Sequence, residues 1–182
     1  NYILVYDFEG KPLEPIPLAY KTHKGRFRID YEKKEVLLAV LPFPDTPSAI
    51  WKQDFDGNII QEVPSGNLTI PYADYSNEIN SSFNTKNIDY SIFLWEPKAD
   101  TLYHYIEAEN RLKPALTLKF NDEIEQHDYM ELPNHYLIAL MEPRQISPFI
   151  SITDYKPFIL LDKKTLKGAY IKLEVDILGG IE

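Results

Sequence analysis

The chain has 182 residues, enough for one ordinary domain with a sizeable core, and 44% of them are hydrophobic, which separates it from disordered sequences. Its 28 Asp and Glu outweigh 19 Lys and Arg, giving a net charge of −9 with no Lys/Arg cluster, so nucleic acid is not an expected partner. There is no Cys, which excludes disulfide frameworks, thiolate metal sites and cysteine nucleophiles.

Thirteen Tyr and nine Phe favour sheets over helical bundles, and no helical periodicity persists over about 11 residues. The longest apolar runs, such as 36–41, are far too short to span a bilayer. No leader is visible, and the chain starts at Asn1 with a strand already under way. That start predicts a fragment or a processed chain.

In chain order, residues 2–6 (YILVY) read as a short strand, and 7–11 (DFEGK) as a turn. Residues 13–18 (LEPIPL) carry Pro12, Pro15 and Pro17 nearby, as an edge strand tolerates. After a loop at 19–25, RFRID (26–30) alternates and EVLLAVL (35–41) is a buried strand. PFPDTP (42–47) turns the chain. SAIWKQDFDGNIIQEV (48–63) follows as a hairpin around Gly57. A Pro/Ser/Asn/Gly-rich connection covers 64–80, with 79–83 as a weak strand beyond it. Strands are expected at 88–95, 101–106 and 113–120, with Asn110 as the left-handed residue of the turn at 107–111. A third group comprises 128–132, 135–141, a Pro-bearing connection at 143–157, and 158–161. A turn at 162–168 and a strand at 169–173 close it, and VDILGGIE (175–182) forms the tail.

Turn markers at Gly10, Gly57, Asn110 and Gly168 recur at intervals of roughly 50 residues. Recurring four-strand units of that length predict an all-β β-propeller of four-stranded antiparallel blades. The blades would span about 26–63, 79–120 and 128–173, preceded by an outer hairpin at 1–18. A β-sandwich with strands every 8–12 residues satisfies the same spacing.

WKQDFDGNII, the segment 87–124, and FILLDKKTLKGAYIKLEVDILGGI together resemble the six-bladed β-propeller lipoproteins of Bacteroides, TolB-like or NHL-like domains of unknown function. The most specific piece is ADTLYHYIEAENRLKPALTLKF (99–120), where an Asp-Thr-Leu-Tyr opening leads into Asn-x-Leu-x-Pro and a strand ending in Phe. The resemblance implies a six-bladed ring and a secreted lipoprotein tethered in the cell envelope through a lipidated Cys. No such Cys is in the chain. Three blades and a hairpin would make part of a ring, whose exposed sheet edges missing blades, a partner or self-association would cover.

Several residue sets invite chemistry. Asp54-Phe55-Asp56-Gly57-Asn58 has the look of a calcium loop, but that register puts Lys52 and Val63 where acidic ligands belong, so it reads as a hairpin turn. His127, Asp128, Glu131 and His135 would converge on one face of a helix; Pro133 and strand-like flanks favour a strand edge or loop instead. Asp122, Glu123 and Glu125 are possible paired carboxylates for glycoside hydrolysis, or a wet turn. Trp51, Trp95, Tyr103 and Tyr105 read as packing between blades, with ring-centre ligand stacking as the other option. No nucleophile elbow or phosphate loop is written in the chain, and nothing calls for a cofactor. The expectation is a non-catalytic binding or scaffold module of the bacterial envelope, with a protein, peptide or glycan ligand. The alternative is a glycan- or peptide-acting hydrolase or lyase with its site in the funnel.

Overall fold

The computed structural model describes residues 1–72, 76–81, 86–96, 98, 100–121, 123–147 and 150–173. Among them every regular element is a strand, apart from two 3₁₀ turns at Gly66–Leu68 and Glu107–Glu109. β1 (Tyr2–Ile3) and β2 (Ile16–Pro17) pair antiparallel, with one further bridge between Tyr6 and Pro12. This hairpin is shorter than the sequence implies, because Pro12, Pro15 and Pro17 withhold ladder donors.

Three antiparallel sheets follow. The first runs β3 (Gly25–Asp30), β4 (Glu35–Val40), β5 (Ser48–Asp54), β6 (Ile59–Pro64) in spatial order. The second runs β7 (Glu78–Asn80), β8 (Ile88–Phe93), β9 (Thr101–Ile106), β10 (Arg111–Thr117) in the same sequential fashion. In the third, β11 (Gln126–Glu131), β12 (His135–Ser147), β14 (Phe158–Asp162) and β15 (Gly168–Ile171) form the main path, and β13 (Ile150–Tyr155) pairs with β12.

The alternation of side chains along β4 explains how these units are held together. Val36, Leu38 and Val40 point to one face, where they join Ile3 and Ile16 of the hairpin and Trp51 of β5. Leu37 and Ala39 point to the other, with Ile79, Tyr90, Ile92 and Tyr105 of the second sheet. Both faces of β4 are therefore buried, which is why it reads as an unbroken apolar run and not as an alternating one. Along β9 the same division holds: Tyr105 faces the first sheet, while Leu102 packs with Tyr129, Tyr136, Ile138 and Leu140 of the third. The hairpin and the three sheets thus stack face to face in chain order. Each fully buried Leu, Ile or Val in these seams contributes about 1.5–3 kcal/mol.

Two turns share one construction. Asp7 Oδ1 accepts the amides of Glu9 and Lys11, and Asp54 Oδ1 accepts those of Asp56 and Asn58. Gly10 and Gly57 then take φ of 83° and 87°, a region that disfavours any side chain. Asn110 serves the turn before β10 with φ 46°.

The structure departs from the sequence expectations at further places. In the last turn the left-handed residue is Leu166, φ 53°, not Gly168. Gly168 opens β15, where a Cβ would lie 3.2 Å from Leu161 and 3.3 Å from the Leu160 carbonyl. The supposed connection at 143–157 is a β-ribbon: β12 runs through Pro143 to Ser147 and returns as β13, with Met141 opposite Tyr155. A proline fits there because this part of β12 pairs with β13 alone, leaving its other edge open. β10 stops at Thr117, so Phe120 lies in the linker, and β8 stops at Phe93, short of Trp95. Residues 82–85, Asp122 and the 174–182 tail lie outside the described residues.

Candidate functional site

The acidic side chains most able to do chemistry lie in the seams between sheets. On β11 the two-residue period puts His127 and Glu131 on one face, with Asp128 on the other. Glu131 has no exposed side-chain surface, and accepts His104 Nε2 at 2.8 Å, Lys163 Nζ at 2.5 Å and Asn87 Nδ2 at 2.8 Å. Burial pushes its carboxyl up, but Lys163, Asn87 and His104 outweigh that and hold it below the usual range. A carboxylate can only accept, so His104 carries its proton on Nε2. The hub ties β9 of the second sheet to β11 and to the turn after β14 of the third.

The other seams carry equivalent ties. Lys52 on β5 pairs with Glu107 at the end of β9, and with Glu35 at 3.5 Å. Gln61 Nε2 donates to the Tyr105 hydroxyl at 2.6 Å, and Asn110 Nδ2 to the Glu62 carbonyl at 2.8 Å. Between hairpin and first sheet, Gln53 Nε2 donates to the Pro17 carbonyl at 2.7 Å. Its Oε1 accepts the Ala19 amide at 3.0 Å and Trp51 Nε1 at 2.9 Å.

A second titratable group lies between the second and third sheets. Asp100 is pushed up to about 7 by burial, with the Asp128 charge adding to the effect. Asp128 is itself raised by burial, although Asn80 Nδ2 donates to it at 2.5 Å. His127 Nδ1 donates to the Glu125 carbonyl at 2.7 Å, Nε2 lies 3.2 Å from the Tyr129 hydroxyl, and burial lowers its proton affinity. A carboxyl poised near neutrality is a candidate acid or base when it faces a cleft. Asp100 lines none of the clefts described below.

Two open clefts, among others, flank the stack. The larger, about 670 Å³, lies between the linker after β10 and the third sheet. Leu140, Ile159 and Tyr170 form its floor, and Phe120, Glu123 and Lys156 are among its walls. The other, about 430 Å³, lies beside β1 and is lined by Leu4, Leu18, Arg26 and Phe27. On the surface of the first sheet, Asp45 is held well below the usual carboxylate range by the Tyr72 hydroxyl and by Lys21 and His23.

The residues singled out in the sequence scatter across this arrangement. His127, Asp128, Glu131 and His135 do not converge: each of the first three bonds different partners, and His135 begins β12 opposite Asp162. Strand geometry, about 3.3 Å per residue, spreads a spacing that a helix would gather. No group of three or more metal-ligating residues forms among the described residues. Asp54 turns its oxygens onto its own turn's amides and onto Asn58 Nδ2, not outward. Glu123 and Glu125 line the larger cleft, and Glu125 is paired with Lys156 at 2.7 Å. Trp51 and Tyr105 are core residues and Tyr103 is half-buried, whereas Trp95 is 38% exposed. His104, Lys163 and Asn87 had no sequence signal; they meet Glu131 from positions that only stacking brings together. Comparison with protein-family models, curated proteins and solved structures returns no match.

Proposed function

We propose that the three sheets are consecutive blades of a β-propeller, and that the chain is a non-catalytic binding or scaffold module of a bacterial cell envelope. The observation that carries this reading is the use made of the acidic and basic side chains. Glu131, Glu107 and their partners tie to one another across sheet seams, whereas among the described residues Lys119, Asn121 and Glu123 in the larger cleft make no such pairing. A catalytic carboxylate needs a free oxygen facing substrate, and Glu131 offers none. Serial stacking with both faces of β4 covered supports the blade arrangement, because each propeller blade is sandwiched between two others. The ligand class in this reading is a protein, a peptide or a glycan.

The test is a pull-down from envelope extract together with a glycan array, both using the whole chain. Reproducible saturable capture of one protein or glycan class is the expected result. Two blanks with folded protein would remove the binding reading, and hydrolytic turnover of a glycan or peptide would replace it with the enzymatic one.

A further inference from the structure

Residues 118–121 follow β10 and 123–125 precede β11, with Leu118 and Phe120 packed against the Tyr129–Ile138–Leu140 cluster. Beside them the cleft of about 670 Å³ opens onto one face of three neighbouring strands, with Leu140 on β12, Ile159 on β14 and Tyr170 on β15. Tyr170 is 70% exposed, although it sits across from Ile159 in the strand register. An exposed ring is an uncovered stacking surface.

The rim is polar and unsatisfied. Lys119, Asn121 and Glu123 line the cleft and make no hydrogen bond or ion pair among the described residues. Lys156 and Glu125 also line it, joined to each other at 2.7 Å. Among the described residues that line it, two lysines balance two glutamates, in a chain whose net charge is −9.

We infer that this cleft binds a neutral oligosaccharide; the inference rests on the binding-module reading and names the ligand class and the site. The balanced rim gives no preference for a polyanion or a polycation. An extended peptide draws its affinity from main-chain bonds along an open sheet edge, whereas Leu140, Ile159 and Tyr170 present one face of a sheet here. A wholly apolar ligand would leave the amide, ammonium and carboxylate groups of the rim desolvated and unpaired. A pyranose matches both surfaces. Its C–H face lies on the Tyr170 ring and on Ile159, and its hydroxyls donate to Glu123 and accept from Asn121 and Lys119. The volume lies within the usual range for small-molecule sites, about 300–1,000 Å³.

The test is an amide-resolved NMR titration of the whole chain with maltotriose, cellotriose and triacetylchitotriose. The expected result is saturable shifts at 118–125 and 168–171 for at least one sugar, with Kd on the order of 1 mM. Tyr170→Ala weakens that binding by about tenfold or more, the loss of one stacking contact. Asn121→Ala and Glu123→Gln each weaken it by about two- to fivefold, as expected for single hydrogen bonds at an open rim. Tyr31→Ala, an equally exposed tyrosine elsewhere on the surface, leaves it unchanged. All four side chains are exposed, so the dispersed spectrum of each variant reports its fold independently of binding. Absence of shifts with all three sugars, or shifts indifferent to Tyr170→Ala, overturns the inference. If the sugars fail while the pull-down still captures a protein, only this inference falls and the binding-module reading stands.

Discussion

His104 Nε2 lies 2.8 Å from Glu131 Oε2, joining β9 of the second sheet to β11 of the third through a carboxylate with no exposed surface. Lys163 completes the hub at 2.5 Å. Removing the acid leaves the His104 and Lys163 donors facing each other in the seam without their acceptor. Glu131→Ala is expected to cost about 2–4 kcal/mol, below the deeply buried limit because both donors retain some solvent contact. Because the folded carboxyl titrates below its ordinary range, its contribution is present above about pH 4.5 and fades as pH falls through the folded value. Urea denaturation of wild type and Glu131→Gln from pH 3 to 7 checks this; the two curves should converge at the acid end.

Asp100 has the opposite sign. Its folded value is raised to about 7, so the folded state holds a proton that the unfolded chain releases near pH 4. Stability should therefore fall as pH rises between about 4 and 7. Asp100→Asn is expected to flatten that decline and to stabilise the protein above pH 7 by about 1–3 kcal/mol. The melting temperature of the two proteins against pH reads the effect.

Trp51 joins hairpin and first sheet through its ring, which packs edge-on to Tyr20 with centroids 5.3 Å apart, and through Nε1 bonded to Gln53. Trp51→Ala should cost about 3–5 kcal/mol. Gln53→Ala, which frees the Pro17 carbonyl and the Ala19 amide, should cost about 1–3 kcal/mol. Limited proteolysis of the Gln53 variant should cut first within residues 1–18, since these bonds hold the hairpin down.

Leu166 is 62% exposed and holds φ 53°. Leu166→Gly is expected to stabilise the protein by up to about 1 kcal/mol, relief of left-handed strain outweighing the added freedom of the unfolded chain. Gly57→Ala should do the reverse by about 1 kcal/mol, because φ is 87° there while the added Cβ meets only ordinary contacts. Chemical denaturation of the two variants gives both signs.

Local chemistry explains how much of this was legible in the sequence. Period-two alternation, the Gly57 and Asn110 turns and the unbroken run EVLLAVL were enough for antiparallel four-stranded sheets. The failures came where a neighbour decides the outcome. Gly168 looked like a turn glycine, but its lack of a side chain accommodates Leu161 and the Leu160 carbonyl. The prolines at 143 and 148 suggested a loop, but Pro143 lies within β12, where only one edge is paired. Asp-Phe-x-Gly, written at both 7–10 and 54–57, was a sharper repeat than the glycines alone. The Glu131 hub could not be read in advance, because His104 and Lys163 are 27 and 32 residues away in sequence. The cleft was partly visible through Glu123 and Glu125; its aromatic floor residue, Tyr170, comes from a distant strand.

The propeller arrangement itself is open to a distance measurement. The chain has no Cys, so nitroxide pairs can be placed without background at Glu9, Asp56, Glu109 and Lys164, exposed positions of the four corresponding turns. Blades of a six-membered ring are related by a constant rotation. Pulsed electron–electron resonance should then give nearly equal neighbour distances, second-neighbour distances about 1.7 times larger, and a Glu9–Lys164 distance about twice the neighbour value. Ratios of about two and three for those separations, as in a straight stack, or a second-neighbour distance no longer than the first, as when sheets fold back into a sandwich, would contradict it.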